Sequence, residues 1–162
     1  MKRIIAVDPG KYATKAMTID DGKMKKIIFR TKMDETNEEK ASDQKSCVIS
    51  YNGQKVLMGE SAETVDYDTS KSKDIHKLAT YSAIAQLSNN GDEITLIIGC
   101  PLSIFSNVEE REQYKKYIEG EKDIEISLDG KSKSFKIEKV IAAPESSGII
   151  FKNVNKYKDK LI

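Results

Sequence analysis

The chain opens on IIAVDPGKYATKAMTI, residues 4–19, which is two short apolar runs separated by a turn. The first run is long enough for a buried strand, and Pro9-Gly10 is a strong turn signal. The second run partly alternates apolar with polar residues, as a strand does. The stretch therefore predicts a β-hairpin with Asp8 at the end of its first strand, Gly10 in the turn and Lys15 on its second strand.

This hairpin has the chemistry of a phosphate site. A glycine turn lets backbone N–H groups approach phosphate oxygens. The Asp8 carboxylate can hold Mg²⁺ directly or through its waters, because Mg²⁺ prefers oxygen ligands and keeps much of its hydration shell. Lys15 can neutralise phosphate charge at the same point. The stretch alone leaves open an ordinary surface hairpin in which both charges are solvated.

Composition narrows the class of protein. With 162 residues the chain is long enough for one hydrophobic core. Lysine and arginine total 27 against 26 acidic residues, so net charge gives no argument for direct nucleic-acid binding. No run of about 18 apolar residues predicts a membrane span, and no signal sequence precedes the first strand. Cys47 and Cys100 lack metal-binding spacing, and we interpret them as reduced thiols in a cytoplasmic protein.

Strands and helices are expected to alternate along the remainder of the chain. Alternation, buried apolar runs and turn signals predict strands at 26–32, 47–50, 56–58, 93–99, 124–128 and 134–143. Helical spacing of apolar residues predicts helices at 74–90, 107–118 and 149–154. The helix at 74–90 is rich in alanine and apolar over much of its circumference, so we expect it to be buried.

Two features of this pattern bear on organisation. Residues 33–73 are mostly polar, with two short strands around Asn52-Gly53, and we interpret them as a small insertion on the edge of the core. His76, the only histidine, lies near the start of the predicted buried helix. That position is more consistent with a packing or surface role than with catalysis.

Glu145 is the second candidate for chemistry. It comes just after an apolar strand, on a turn made by Pro144 and before a predicted helix. Open α/β sheets place their sites at the carboxyl ends of strands. A carboxylate there can orient a water for attack on a γ-phosphate. The alternative is a carboxylate that only complements the dipole of the helix that follows it.

Four motifs together resemble the N-terminal half of the actin-like ATPase superfamily, and in detail its ParM-like branch of plasmid-segregation actins. The motifs are Asp8-x-Gly10-x-x-x-Thr14-Lys15, the strand-then-Pro-Leu segment 98–103, the hairpin 126–140, and Ala143-Pro144-Glu145-Ser146 followed by Gly148. The resemblance covers nearly the whole chain. It implies an α/β, actin-like (ribonuclease H-like) domain, a mixed sheet flanked by helices, with its core at 1–32 and 74–162 and a small inserted subdomain at 33–73.

The resemblance also implies roles for the site residues. Asp8 would organise Mg²⁺ and its waters, Lys15 would contact the β- and γ-phosphates, and Glu145 would position the attacking water. Backbone contacts to phosphate would come from the turn residues Gly10, Lys11 and Tyr12. Pro9 departs from the family pattern and removes one backbone donor.

The function that this resemblance implies is a filament that assembles with Mg-ATP or Mg-GTP and segregates plasmid or other DNA. Its partners would be further copies of itself and a DNA-binding adaptor. The second ATPase domain, which should complete the nucleotide cleft, is absent from these residues, so we expect the isolated chain to be inactive and to expose an apolar face. Two alternatives remain: half of a small-molecule kinase of the same superfamily, and a non-catalytic interaction module.

Overall fold

The computed structural model describes residues 1–68, 71–121, 123–145 and 147–152. Within these ranges the strands are β1 Lys2–Pro9, β2 Ala13–Asp20, β3 Lys23–Arg30, β4 Met33–Glu35, β5 Ser46–Tyr51, β6 Gln54–Gly59, β7 Asp92–Cys100, β8 Asp123–Leu128 and β9 Lys131–Pro144. The helices are α1 Asp74–Leu87, α2 Leu102–Ser106, α3 Val108–Glu119 and α4 Ser147–Lys152. Residues 153–154 of the predicted last helix lie outside the described residues.

All these strands form one mixed sheet in the order β3-β2-β1-β7-β9-β8-β5-β6-β4. The opening hairpin is confirmed, since β1 and β2 pair antiparallel with Asp8 opposite Lys15. Strand β1 runs parallel to β7, and β7 runs parallel to β9. The carboxyl ends of these three strands therefore lie side by side at one end of the sheet, which we call its carboxyl edge. Asp8 and Glu145 lie there.

Helix α1 is the centre of the hydrophobic core. All of its residues except Asp74, Lys77 and Gln86 are buried, as the apolar pattern predicts. Helix α3 lies beside it, and the Tyr81 hydroxyl donates to the Ile118 carbonyl oxygen at 3.0 Å. The helix ends at Leu87, before the predicted end, because Ser88 is already extended. No helix in the described ranges has both the length and the apolar character needed to cross a bilayer.

The helix-covered face of the sheet is buried, and the opposite face of β1–β3 is exposed. Because side chains alternate across a strand, β1 buries Ile5 and Val7 while β2 buries Ala16 and Thr18. The exposed apolar side chains of these strands are Ile4, Met17, Ile19, Met24 and Ile28. A shallow groove of about 440 Å³ follows part of this face. The sheet thus carries an exposed apolar face of the kind expected from the sequence.

Residues 33–73 extend the main sheet sideways beyond β8, with the strands β5, β6 and β4. Strand β5 pairs with β8, placing Ile49 opposite Leu128. The buried side chains that this segment contributes belong to the same hydrophobic cluster as α1, and include Cys47, Ile49, Val56 and Met58. The strands predicted at 47–50 and 56–58 are confirmed. The division of the chain into a core domain and an inserted subdomain stays a prediction.

One glycine in this segment allows a close approach that another residue would prevent. Gly59 has a φ of +122°, and a Cβ there would overlap the Lys45 carbonyl oxygen and lie 2.6 Å from the Ser46 Cα. Gly22 has a φ of +74° with nothing within 4 Å of its added Cβ, so a side chain placed there would have the backbone strain without the clash.

We expect Gly22→Ala to lower the free energy of unfolding by about 1 kcal/mol, from left-handed strain alone. Gly59→Ala should lower it by about 1–3 kcal/mol more, because backbone atoms must move apart. Urea denaturation of the two variants measures the difference. Equal losses would show that the β5–β6 edge accommodates the added methyl group.

Candidate functional site

The candidate site lies where β1, β7 and β9 end side by side. Val7 pairs with Ile98, and Gly99 pairs with Ala143. The Glu145 amide then donates to the Cys100 carbonyl oxygen at 3.0 Å. Two carboxylates from opposite ends of the sequence, Asp8 and Glu145, thus come to the same edge of the sheet, as strand-end placement predicts.

A buried lysine joins these carboxylates. The Lys71 Nζ hydrogen-bonds to Glu145 Oε1 and lies 3.8 Å from Asp8 Oδ1. On the other side, the Lys15 Nζ lies 3.4 Å from Asp8 Oδ2. The Asp8 and Glu145 side chains are 45% and 40% exposed, whereas the Lys71 side chain is 4% exposed. The cluster therefore presents two carboxylates to solvent and holds an ammonium group behind them.

Sequence reasoning did not identify Lys71. It lies in the polar stretch before α1, among 27 lysines and arginines with no motif to distinguish it. Its position depends on a left-handed backbone, with a φ of +52°, and on the path of the chain from β6 to α1. Neither feature leaves a readable signal in the residues around it.

The hairpin turn depends on the absence of a side chain at Gly10. A Cβ there would lie 2.7 Å from the Ala13 carbonyl oxygen. The Gly10 amide donates to the Asp8 carbonyl oxygen at 2.9 Å, and the Gly10 carbonyl accepts from the Thr31 hydroxyl at 2.6 Å. Because the Gly10 amide is engaged inside the turn, the amides of Lys11 and Tyr12 remain the candidates for backbone contact with phosphate.

Tyr12 is more exposed to solvent than the neighbouring residues of the turn. The residue is 67% exposed, and the Arg30 guanidinium carbon lies 3.8 Å from the centroid of its ring. The Arg30 Nε also donates to the Tyr12 carbonyl oxygen at 3.2 Å. These two contacts to β3 fix the outer end of the turn.

Beneath Asp8, the end of β7 leaves room for the carboxylate. A Cβ on Gly99 would lie 3.2 Å from Asp8 Oδ1, so any side chain there would press on the acid. The Tyr114 hydroxyl of α3 donates to the Gly99 carbonyl oxygen at 3.2 Å. Gly99 and Tyr114 support the site, and the sequence did not predict this role for either residue.

Two neighbouring groups, the Cys100 thiol and the Tyr114 hydroxyl, have raised pKa values. Burial raises the pKa of the Cys100 thiol and of the Tyr114 hydroxyl, and the charge of Glu145 raises both further. Both groups are therefore neutral at physiological pH. The ion pairs of the site join Asp8, Lys15, Lys71 and Glu145.

The acidic groups at this edge fit Mg²⁺ only together with a phosphate ligand. The described residues hold no group of three or more histidine, cysteine, aspartate or glutamate side chains that could bind a metal ion. Asp8 offers one half-exposed carboxylate. Mg²⁺ typically keeps several waters and takes one or two carboxylates plus substrate phosphates. The donor set thus fits a Mg²⁺ ion carried in with a nucleotide, with Asp8 holding it or its waters.

His76 lies close to the cluster without joining it. Its ring is fully buried at the start of α1, and neither ring nitrogen has a hydrogen-bond partner among the described residues. Burial lowers the pKa of His76 below its ordinary value of 6.5, and the positive charge of Lys71 lowers it further, while Asp66 and Asp68 oppose this. The packing role expected from the sequence fits this burial.

The buried neutral ring predicts a pH dependence. Because burial lowers the pKa of His76 in the folded chain, the unfolded chain binds more protons as the pH falls through 6.5, so stability should fall below that pH. The slope can reach about 1.4 kcal/mol per pH unit. His76→Leu should remove it, as measured by urea denaturation at several pH values. Asp34 and Asp92, whose folded pKa values are below 3.8, act only at lower pH. An unchanged slope in His76→Leu would contradict this prediction.

Comparison with known proteins identifies the family. A family model described as the N-terminal domain of actin-like proteins matches residues 6–148. No curated protein matches the chain. Among solved structures, an Alp12 filament is 33% identical with a TM-score of 0.69, covering 93% of this chain and 49% of that one.

Two further structures share the fold at lower identity. An AlfA filament bound to AMPPNP is 20% identical with a TM-score of 0.71, covering 93% of this chain and 57% of that chain. The apo ParM of pSK41 is 13% identical with a TM-score of 0.72, covering 94% and 52%. The chain thus spans about half the length of these structures. The resemblance drawn from the sequence motifs is confirmed, and the chain belongs to the actin-like proteins, whose N-terminal domain it forms.

Proposed function

We propose that this chain is the N-terminal, phosphate-binding half of an ATP-dependent, filament-forming actin of the plasmid- or DNA-segregating kind. The observation that carries the proposal is the charge cluster at the carboxyl edge of the sheet, where Asp8, Lys15 and Glu145 meet. The family assignment places this cluster in an actin-like domain. The chain spans about half the length of the AlfA and Alp12 chains that it matches, which supports a cleft completed by residues outside this stretch.

Each residue of the cluster has a part in the proposed reaction. Asp8 would hold Mg²⁺ or its waters, and the ion would supply charge neutralisation on the phosphates. Lys15 and the amides of Lys11 and Tyr12 would contact phosphate oxygens. Glu145 would accept a hydrogen bond from the attacking water. The water oxygen bonds to the γ-phosphorus as the bond to the β-phosphate oxygen breaks, ADP takes the electron pair, and the released proton leaves with inorganic phosphate.

The proposal extends to assembly and partners. Structures of AlfA and Alp12 are described as filaments. This supports self-association of the full natural polypeptide that contains these residues. The even balance of 27 basic and 26 acidic residues offers no strong field for DNA. We therefore assign DNA attachment to a separate adaptor protein, and we place the filament in the cytoplasm.

Co-sedimentation and phosphate release test this proposal on the full natural polypeptide that contains these residues. We expect a sedimenting polymer with Mg-ATP, or with Mg-GTP, and steady release of phosphate. Phosphoryl transfer to a sugar or acid without polymer would replace the proposal with the kinase alternative. If the polypeptide neither binds nucleotide nor forms polymer, the results would favour the non-catalytic interaction module.

A further inference from the structure

Lys71 combines two unfavourable features at one residue. Its ammonium side chain is 4% exposed, and burying a charge is costly unless it is paired. Its backbone has a φ of +52°, a left-handed conformation that residues other than glycine adopt at a cost. Strained residues of this kind cluster at functional sites, because the surrounding structure must hold them in place.

The partners of Lys71 come from two distant parts of the chain. Its Nζ bonds to Glu145 Oε1 after β9 and lies 3.8 Å from Asp8 Oδ1 at the end of β1. Without a cation between them, the two carboxylates would repel each other across the edge of the sheet. The ammonium group closes the inner side of the cluster, whereas the outer side, where a phosphate would enter, stays open.

Arg3 is a second buried cation in the described residues, and its ion pairs lie away from the candidate site. Arg3, also 4% exposed, bonds to Asp92 at 2.8 Å and to Asp20 at 3.1 Å. It lies on the same strand as Asp8 but at the opposite end. Its two acids, Asp20 and Asp92, are not among the candidate site residues and lie at the opposite end of the sheet from Asp8. Arg3 is thus a matched comparison for the loss of a buried ion pair away from the site.

We propose that Lys71 is a positioning residue for hydrolysis, acting through Glu145. Its ammonium group fixes the Glu145 carboxylate in the orientation that receives the attacking water. This inference rests on the proposed ATPase function. It gives Lys71, which lies shortly before α1, an indirect part in hydrolysis through Glu145.

The inference predicts a separation of kinetic constants in the full natural polypeptide. Lys71→Met should lower kcat about 10- to 100-fold, the scale seen when an orienting partner is removed, with little change in the KM for Mg-ATP. Lys71→Arg should restore most of the rate, because the charge is kept. Arg3→Met should lower the unfolding midpoint without lowering kcat per folded molecule. Lys71→Gln, which keeps a hydrogen-bond donor but no charge, replaces Lys71→Met if that variant fails to fold.

A double-mutant comparison separates positioning from stability. If Lys71 acts through Glu145, Lys71→Met should slow the Glu145→Ala variant far less than it slows the unchanged protein. Full kcat in Lys71→Met, or the same loss in both backgrounds, would overturn the inference while leaving the proposed function in place. No hydrolysis by the unchanged protein would overturn the proposed function, and the role of Lys71 with it.

Discussion

Glu145→Ala should slow ATP hydrolysis about 100-fold or more in the full natural polypeptide, the usual scale for losing a positioned acid–base group. Filament formation should persist, because the residues proposed to bind the nucleotide, Asp8 and Lys15, are unchanged. The effect is large because Glu145 is the half-exposed carboxylate just after β9, and Lys71 bonds to one of its oxygens. Phosphate release and sedimentation should be measured on the same samples.

The control for this prediction is Glu125→Ala. Glu125 is exposed on β8, away from the carboxyl edge of β1, β7 and β9, so its removal should leave both hydrolysis and polymer unchanged. If Glu145→Ala hydrolysed ATP at the rate of the unchanged protein, Glu145 would have no place in the mechanism.

Asp8→Asn should weaken Mg-ATP binding by about 10- to 100-fold, as expected when a group that orients a metal or its waters loses its charge. Binding of ATP without Mg²⁺ should change much less, because Lys15 and the turn amides remain. Asn keeps the size of the side chain, so the close contact with Gly99 is undisturbed. Calorimetric titration with and without Mg²⁺ measures the two affinities.

Asp21→Asn provides the matched comparison for Asp8→Asn. Asp21 is exposed in the β2–β3 turn at a φ of +50°, a conformation that asparagine also tolerates. Its replacement removes the same charge from the opposite end of the hairpin and should leave Mg-ATP affinity unchanged. Equal affinities for Asp8→Asn and the unchanged protein would remove Asp8 from the metal site.

The parts of the fold that the sequence predicts well are those that local residues determine. Alternating apolar residues around Pro9-Gly10 define the first hairpin, and its register brings Asp8 opposite Lys15. The apolar circumference of 74–87 defines a buried helix. Short-range pattern is sufficient in both cases, because side-chain periodicity and turn chemistry act within a few residues.

The parts that the sequence did not predict depend on contacts between distant segments. Helix α2 follows Pro101 without a clear apolar period and buries none of its residues. Among the residues that the structure describes, the strands of 33–73 pair with the remainder of the sheet through β5 and β8. Lys71 contacts Asp8 and Glu145, which are 63 and 74 residues away in the sequence. Long-range pairing leaves little trace in local composition, so a polar stretch that contributes a buried charge resembles a solvated loop.

The site itself divides in the same way. Asp8, Lys15 and Glu145 were predictable from turn chemistry, strand-end placement and motif order, and the structure brings them to one edge. Gly10 acts through its missing side chain, since its amide is already bonded inside the turn. Gly99 and Tyr114 emerge only from the packing of α3 against β7. The roles of the predicted site residues in nucleotide binding and hydrolysis remain predictions that the variants above test.

The most direct measurement is a calorimetric titration of the full natural polypeptide with Mg-ATP, alongside a titration with Mg²⁺ alone. The proposed function predicts Mg-dependent binding of one nucleotide per chain, and no measurable heat from Mg²⁺ alone, because the described residues hold no ready-made metal cluster. Absence of Mg-ATP and Mg-GTP binding would contradict the claim that the Asp8–Lys15–Glu145 edge is half of a nucleotide cleft.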